Sequence, residues 1–388
     1  MNIKPADRIN TVSEYYFSVK LKQIEKMKAE GKNVINLGIG SPDQMPSDEV
    51  IEMLHASAEN PANHGYQSYI GIPSLRARMA ELYQRNYGVL LDSNTEILPL
   101  MGSKEGIMHI SMAFLNPGDE VLVPNPGYPT YSAVTNLVQA VARRYDLIED
   151  NDWQPDFDAL ESQDLSKVKL MWVNYPNMPT GAKANREVMK QLVDFGRRHS
   201  IIICNDNPYS FILNPEPSSL LEVPGAKEIA IELNSLSKSH NMAGWRIGMA
   251  ASNATFITYI LRVKSNMDSG MFRPLQDAAA KALEAGPEWF ARVNAVYAGR
   301  RKLVYKLLDK LGCSYDTNQV GLFVWAKVPA KYGKGQIVSD QVLEKAHVFL
   351  TPGFIFGSNG ESYIRISLCA TEEVIQESIN RINQIEIV

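Results

Sequence analysis

The sequence predicts an α/β protein, with a mostly parallel central sheet flanked by helices and a smaller α+β unit appended. Two observations predict it. Short, nearly continuous apolar runs such as 168–174 and 201–204 alternate with stretches of helical periodicity, the pattern of strands covered on both faces. Beyond residue 252 the chain turns mostly helical, with only a few short strands. At 388 residues a single core has usually stopped growing, which calls for two units.

In order along the chain, residues 11–30 read as a helix on the recurrence of Tyr16, Val19, Leu21, Ile24 and Met27, stopped by Gly31. A short strand, Val34 to Leu37, runs into Gly38-Ile39-Gly40-Ser41-Pro42-Asp43, and a helix over 47–58 starts at Ser47. The aromatic, glycine-punctuated segment 64–73 is a loop before a helix over 74–87. A strand over 96–101 meets Gly102-Ser103-Lys104 and a helix over 105–115, an arrangement suited to an anion. Strands follow at 120–124, 140–145, 168–174, 201–205, 229–233 and 247–251, with helices over 131–138 and 185–199 between them. The later helices span 253–268, a long stretch over 274–311, 338–346 and 371–384, and strands fall at 322–328 and 363–367.

Composition bounds the function. The chain is 45% hydrophobic and 21% charged with a net charge of -4, which gives no footprint for nucleic acid or an anionic membrane. Cys204, Cys313 and Cys369 are scattered, no Cys/His grouping has metal spacing, and no apolar run approaches about 18 residues. The N-terminal residues carry no apolar leader segment, so a cytoplasmic protein is expected.

The stretch Ser235-Leu236-Ser237-Lys238, with Arg246 eight residues beyond the lysine, organises the chemistry. Two hydroxyls and a guanidinium suit a phosphate dianion, and a desolvated amine beside it suits a Schiff base to a carbonyl. Pyridoxal phosphate combines a phosphate with an aldehyde. Asp206, at the end of an apolar strand, is either a turn cap or the partner of a buried cation such as a protonated pyridine nitrogen. Tyr209 is either a core tyrosine or a donor to the cofactor's phenolic oxygen, and Tyr128 either a turn aromatic or a ring-stacking one. Arg365, inside an apolar strand, makes either a structural ion pair or a bidentate clamp on a carboxylate.

From about residue 5 to the C-terminus the chain resembles the class I/II aminotransferases of the aspartate aminotransferase fold, the fold type I pyridoxal phosphate enzymes. Leu-Gly-Ile-Gly-Ser-Pro-Asp, Gly-Ser-Lys, Pro-Gly-Tyr-Pro, Pro-Thr-Gly, Asp-x-x-Tyr, Ser-x-Ser-Lys with its arginine, and Arg-Ile-Ser carry the resemblance. Within that group it is most similar to the bacterial LL-diaminopimelate aminotransferases, through 98–106 and Asn266-Met267-Asp268-Ser269-Gly270. The resemblance implies a large cofactor-binding domain over 46–280 and a small domain from 1–45 with 281–388. It makes Lys238 the Schiff-base lysine, Asp206 the partner of the ring nitrogen, Tyr209 the contact of the phenolic oxygen and Tyr128 the stacking ring. Ser103, Lys104, Ser235 and Arg246 would hold the phosphate with help from Ser237, and Tyr66 would reach the phosphate of the other subunit of a homodimer. Arg365, with the backbone of Gly40, would clamp the substrate carboxylate.

Two positions depart from the pattern. Met178 stands where the family has an asparagine that bonds the phenolic oxygen, with Asn177 or Asn174 as its replacement, and Ile70 stands where the diaminopimelate enzymes have glutamate. The expected reaction moves an amino group from an L-amino acid to an oxo acid, with 2-oxoglutarate the expected acceptor. The expected donors are LL-diaminopimelate, aspartate, alanine or another amino acid, and Arg273 is either a solvated charge or the contact of a distal carboxylate. Other pyridoxal phosphate chemistry on the same fold, such as β-elimination, is the nearest rival, because cofactor motifs do not select the bond that breaks. A cofactor-sensing regulator is disfavoured, since only about 33 residues precede the first strand, fewer than a DNA-binding module needs.

Overall fold

The computed structural model describes residues 3–12 and 16–387. Its strands, in chain order, are β1 (Ile35–Asn36), β2 (Ile97–Leu100), β3 (Glu120–Asn125), β4 (Val141–Asp146), β5 (Val168–Val173) and β6 (Ile202–Asp206), then β7 (Ala230–Ser235), β8 (Gly248–Ala251), β9 (Phe323–Lys327), β10 (Val348–Phe349), β11 (Thr351–Pro352) and β12 (Tyr363–Ser367). The helices are α1 (Tyr16–Ala29), α2 (Asp48–Ala58), α3 (Pro73–Tyr87), α4 (Ser103–Phe114), α5 (Thr130–Leu137), α6 (Phe157–Glu161) and α7 (Arg186–His199), then α8 (Leu236–Ser239), α9 (Ala254–Lys264), α10 (Arg273–Ala282), α11 (Pro287–Lys310), α12 (Gly335–Ala346) and α13 (Glu372–Ile382).

Seven strands form the main sheet in the order β2-β8-β7-β6-β5-β3-β4. β3, β4, β5, β6 and β7 pair in parallel, and β8 runs antiparallel to both β7 and β2. Alternation along each strand explains the continuous apolar runs. Leu170 and Trp172 of β5 enter the core under α4, α5 and α9, whereas Met171 and Val173 enter the core on the opposite face. Val121 and Val123 of β3 divide from Leu122 in the same way, and Cys204 of β6 from Ile203. Each such side chain contributes roughly 2 kcal/mol on burial, so both faces must be covered. Helix ends follow local chemistry: Asn185 accepts from the Val188 N–H at the start of α7, and Arg197, Arg198 and His199 crowd its last turn.

Because the parallel strands share one direction, the ends of β2, β3, β5, β6 and β7 deliver Gly102, Tyr128, Asn174, Asp206 and Lys238 to the same edge. β8 enters from that edge, which brings Arg246 there as well. Open α/β sheets place ligands at this carboxyl edge.

The second unit packs the sheet β11-β12-β9 against α11, α12 and α13, around Val324, Ile364, Ile366, Val304, Leu307 and Ile375. β1 joins it by parallel pairing with β10. Ile24 and Met27 bury α1 against Val34, Leu343 and Phe349, and Lys20 pairs with Asp340 at 2.9 Å.

The differences from the sequence expectation have local causes. The stretch expected as one helix over 274–311 is two, because Gly286-Pro287 ends one course and starts another: Pro287 has no N–H to bond back to residue 283. The helix expected over 11–30 is described from Tyr16, with a 3₁₀ turn at Asp7–Thr11, while residues 13–15 lie outside the described residues. The helix expected over 253–268 ends at Lys264, followed by hydrogen-bonded turns over 265–268. β10 and β11, two residues each, were too short to carry a periodicity.

Candidate active site

The carboxyl edge of the main sheet, the second unit and α1 enclose a cavity of about 770 Å³. Its wall includes Gly40, Ser103, Lys104, Tyr128, Asp206, Tyr209, Ser235, Ser237, Lys238, Arg246 and Arg365, eleven of the residues singled out in the sequence. A larger groove of about 960 Å³ near Lys183, Arg186 and Glu222 holds none of them, so volume does not pick the site; chemistry does.

Lys238 lies on α8, a single helical turn at the end of β7, where the sequence reading placed a plain turn. Ser235 caps that turn, accepting from the Ser237 N–H at 3.1 Å and donating to Ser237 Oγ at 2.8 Å. The Lys238 ammonium donates to the carbonyl of Gly40. Burial holds its pKa below the usual lysine range; Cys369 opposes the shift, and Arg365 and Arg246 add to it. A lowered amine pKa suits a nucleophile and proton carrier.

Arg246 adopts a left-handed backbone conformation, φ 58°, and its guanidinium lies on the bare face of Gly102. Gly102 has φ 88° and a Cβ there would stand 2.2 Å from Arg246 Nη2, so a side chain would strain the turn before α4 and displace the guanidinium. A helix N-terminus, Lys104, two serine hydroxyls and this guanidinium therefore face one corner of the cavity, a cradle for a dianion.

Asp206 is buried. Tyr131 donates to its Oδ2 at 3.0 Å, and Oδ1 has no hydrogen-bond partner. Burial pushes its pKa up to about 7; the Tyr131 hydrogen bond works against this and Glu232 works with it. A buried carboxylate with an open oxygen calls for a cationic or N–H partner in the cavity. Tyr131 stacks on Trp172 at 5.0 Å and meets Tyr128 edge-on at 5.6 Å, so the carboxylate is held by a packed aromatic group. The sequence reading missed Tyr131; its signal was the second tyrosine of Tyr128-Pro129-Thr130-Tyr131, one helical turn after the first.

Arg365, on β12, is 4% exposed. Its guanidinium sits 3.8 Å from the ring centroid of Phe323, 4.7 Å from that of Phe356 and 5.6 Å from that of Phe17. Nη2 donates to the Gly38 carbonyl at 2.7 Å, and Nη1 contacts Met178 Sδ at 3.1 Å. The Phe323 ring occupies the space where Gly40 would carry a Cβ, at 2.2 Å, which explains the second glycine of Gly38-Ile39-Gly40. Beyond it, Asp43 anchors the segment through two 2.7 Å bonds from Arg300.

Three expected residues lie elsewhere. Asn177 does not line the cavity: Thr180 donates to its Oδ1 at 2.8 Å, and the wall at this turn is formed by Asn174 and Met178. Asn174 is itself engaged, donating to the Asp206 carbonyl and accepting the Met178 N–H at 2.7 Å. Tyr66 is 94% exposed, outside this cavity. Arg273 pairs with Asp277 at 2.9 Å and is likewise outside it.

The residues present fit pyridoxal phosphate on these observations: an anion cradle with a Cβ-free wall, an open carboxylate oxygen, aromatic faces and a buried amine. Fold and site thus define an α/β protein whose cavity has the groups that suit an aromatic, phosphorylated carbonyl compound. The sequence profile described as "Aminotransferase class I and II" matches residues 32–382, and the chain belongs to that family. It is similar to the LL-diaminopimelate aminotransferase of Oleidesulfovibrio alaskensis, 44% identical over 97% of this chain and 98% of the relative. It is also similar to that of Nitratidesulfovibrio vulgaris, 42% identical over 98% and 99%. Among solved structures, BacF of Bacillus subtilis superposes with a TM-score of 0.94 at 36% identity, covering 99% of this chain and 98% of that one. An aspartate aminotransferase of Thermus thermophilus, at 24% identity and a TM-score of 0.91 over 99% and 100%, shows the same fold. The protein is an aminotransferase that moves the amino group of an L-amino acid to an oxo acid.

Proposed function

We propose that the chain is a pyridoxal phosphate-dependent aminotransferase working by two half-reactions, with LL-diaminopimelate the first candidate donor, ahead of aspartate and alanine, and 2-oxoglutarate the acceptor. The observation that carries it is the convergence of Lys238, Asp206, Arg246 and Arg365 on one cavity. The relatives' names support the donor, while Ile70 offers no carboxylate to a distal ammonium.

Pyridoxal phosphate, when bound, supplies a carbonyl that condenses with amines and a ring that takes up the electron pair left at Cα. Arg246, Ser103, Lys104, Ser235 and Ser237 bind its phosphate, and Tyr128 orients the ring. Asp206 holds a proton at the ring nitrogen, its charge stabilised there and by Tyr131. Tyr209 donates to the phenolic oxygen. Met178 has no donor to add, which leaves that oxygen to Tyr209. Arg365 binds the donor's α-carboxylate and so fixes which bond at Cα faces the Lys238 amine. Lys238 removes the Cα proton and would return it to the C4′ carbon of the bound pyridoxal phosphate, as base and then as acid. Phe17, Phe323 and Phe356 exclude water around Arg365, which strengthens its pairing with a carboxylate.

The exposed Tyr66 supports a homodimer in which it reaches the partner's phosphate. The sheet boundaries support the division into 46–280 and 1–45 with 281–388. No helix among the described residues is long and apolar enough to cross a membrane, and the activity proposed is a cytoplasmic one.

The deciding measurement mixes the pyridoxal-loaded protein with single amino acids and follows its conversion to the pyridoxamine form. Conversion reversed by an oxo acid is expected, and the fastest donor names the substrate. Release of ammonia and pyruvate without conversion would instead establish an eliminating enzyme. Arg365→Leu should lower kcat/KM for every donor by about a hundredfold, mostly through KM, since two charge-assisted hydrogen bonds to the carboxylate are lost. An unchanged KM in a donor titration would remove Arg365 from substrate binding.

A further inference from the structure

Two segments singled out in the sequence, 98–106 and 266–270, bring Glu105, His109 and Asp268 together in a largely buried cluster, and the chemistry above uses none of these three. Glu105, on the first turn of α4, folds back so that its Oε2 accepts the Met101 N–H at 2.6 Å. This is the glutamate half of a capping box, displaced by one residue, and it fixes the turn that presents Ser103 and Lys104 to the cavity. Glu105 Oε1 lies 3.1 Å from His109 Nε2, one turn further along, and the His109 side chain is 2% exposed. Ligating atoms of Glu105, His109 and Asp268 all fall within 4.8 Å of one another. The grouping resembles a metal site, but a cation is already built in: Lys264 Nζ stands 2.8 Å from Asp268 Oδ2, both side chains being buried.

The cluster continues to a second loop. Lys264 Nζ also donates to the Tyr69 carbonyl at 3.1 Å. Asp268 Oδ1 accepts the Gly270 N–H at 2.8 Å, and a Cβ at Gly270 would stand 2.5 Å from the Gln67 carbonyl. Gln276 accepts the Ile72 N–H at 2.8 Å and donates to Met271 O at 2.6 Å. Loop 66–72 is thus seated on the α9–α10 connection, and that connection on the start of α4.

We propose that Glu105, His109, Asp268 and Lys264 form a positioning network that couples the phosphate cradle to loop 66–72. This rests on the proposed pyridoxal phosphate site. Lys264 ties Asp268 to the Tyr69 carbonyl, and Glu105 ties the buried His109 to the Met101 N–H, so ordering the turn at 101–104 orders the loop, and the coupling acts equally in reverse. None of the four is a catalytic residue.

The test is amide hydrogen exchange and pyridoxal phosphate affinity in the full chain. In the native protein, pyridoxal phosphate slows exchange across 66–72. In Lys264→Met it leaves the loop unchanged, and the cofactor dissociation constant rises about tenfold, within the usual span of coupling between sites. Lys264→Arg, which keeps the charge and a donor for Tyr69 O, restores most of both. Because Lys264→Met leaves Asp268 without its ammonium, the double variant Lys264→Met/Asp268→Asn is measured beside it and behaves alike. Leu307→Ala, a core change in α11, lowers thermal stability without changing either readout. The proposal is overturned if the native loop ignores the cofactor, or if the double variant binds it as the native protein does. Failure of the native protein to bind pyridoxal phosphate at all would overturn the cofactor reading itself.

Discussion

Replacing Lys238 with alanine will reduce turnover by at least about 10⁴-fold while leaving pyridoxal phosphate bound. The size follows from losing two roles at once, covalent attachment and proton transfer at Cα, each of which is worth orders of magnitude alone. Retention follows from the cradle: Arg246, the start of α4 and the Ser235–Ser237 pair lie around the lysine and do not depend on its amine. The result separates these roles cleanly. Borohydride treatment of the pyridoxal-loaded native protein should label the peptide containing Lys238, and the variant should take up no covalent label. Small primary amines added in solution should recover part of the rate, because the missing group is a base of that kind. Undiminished turnover in Lys238→Ala would sink the assignment, and loss of cofactor binding along with turnover would place the lysine in the cradle instead.

Most of the fold was legible because its strands are buried on both faces, which turns them into apolar runs that stand out from the helices. The charged residues that meet in the cavity were legible for a related reason: a charged side chain at the end of such a run, as with Asp206, or inside one, as with Arg365, conflicts with its surroundings and asks for a partner. Residues that support them were harder to see. Tyr131, Phe17 and Phe356 look like ordinary core aromatics until the chain is folded, and Tyr131 and Phe17 depend on partners 75 and several hundred residues away. Glu232 shows the opposite failure. In Ile229-Ala230-Ile231-Glu232-Leu233 it reads as the polar position of an alternating strand, yet it is fully buried, bonded to Asn205, Ser219 and the Leu220 N–H. Periodicity records which residues are apolar, not which polar ones find partners inside. Asn177 failed similarly: its proximity in sequence to Met178 suggested a substitute donor, but the turn directs it to Thr180.

Asp206→Asn should change stability and activity in opposite directions. Burial holds the Asp206 carboxyl at a pKa of about 7, against 3.8 for the free side chain. Below about pH 4 the group is protonated whether the chain is folded or not, and it costs nothing. Between about pH 4 and 7 the folded protein keeps a proton that the unfolded chain has released, so its stability falls as pH rises through that window. Above pH 7 the full penalty remains, on the order of 4 kcal/mol before any bound partner offsets it. Asparagine has no charge to desolvate and still offers an oxygen to Tyr131, so without cofactor the variant should melt higher than the native protein at pH 8 and no higher at pH 4. Pyridoxal phosphate reverses the order at pH 8, because a protonated ring nitrogen meets the native carboxylate and not the amide. The donor half-reaction should nevertheless slow by about 10³-fold, since the electrostatic partner that keeps the ring protonated is gone. Thermal melts at the two pH values, with and without cofactor, decide the matter. A cofactor-free variant less stable than the native protein at pH 8 would mean that the Asp206 carboxylate is a structural anchor, held in place for the fold and not for the ring.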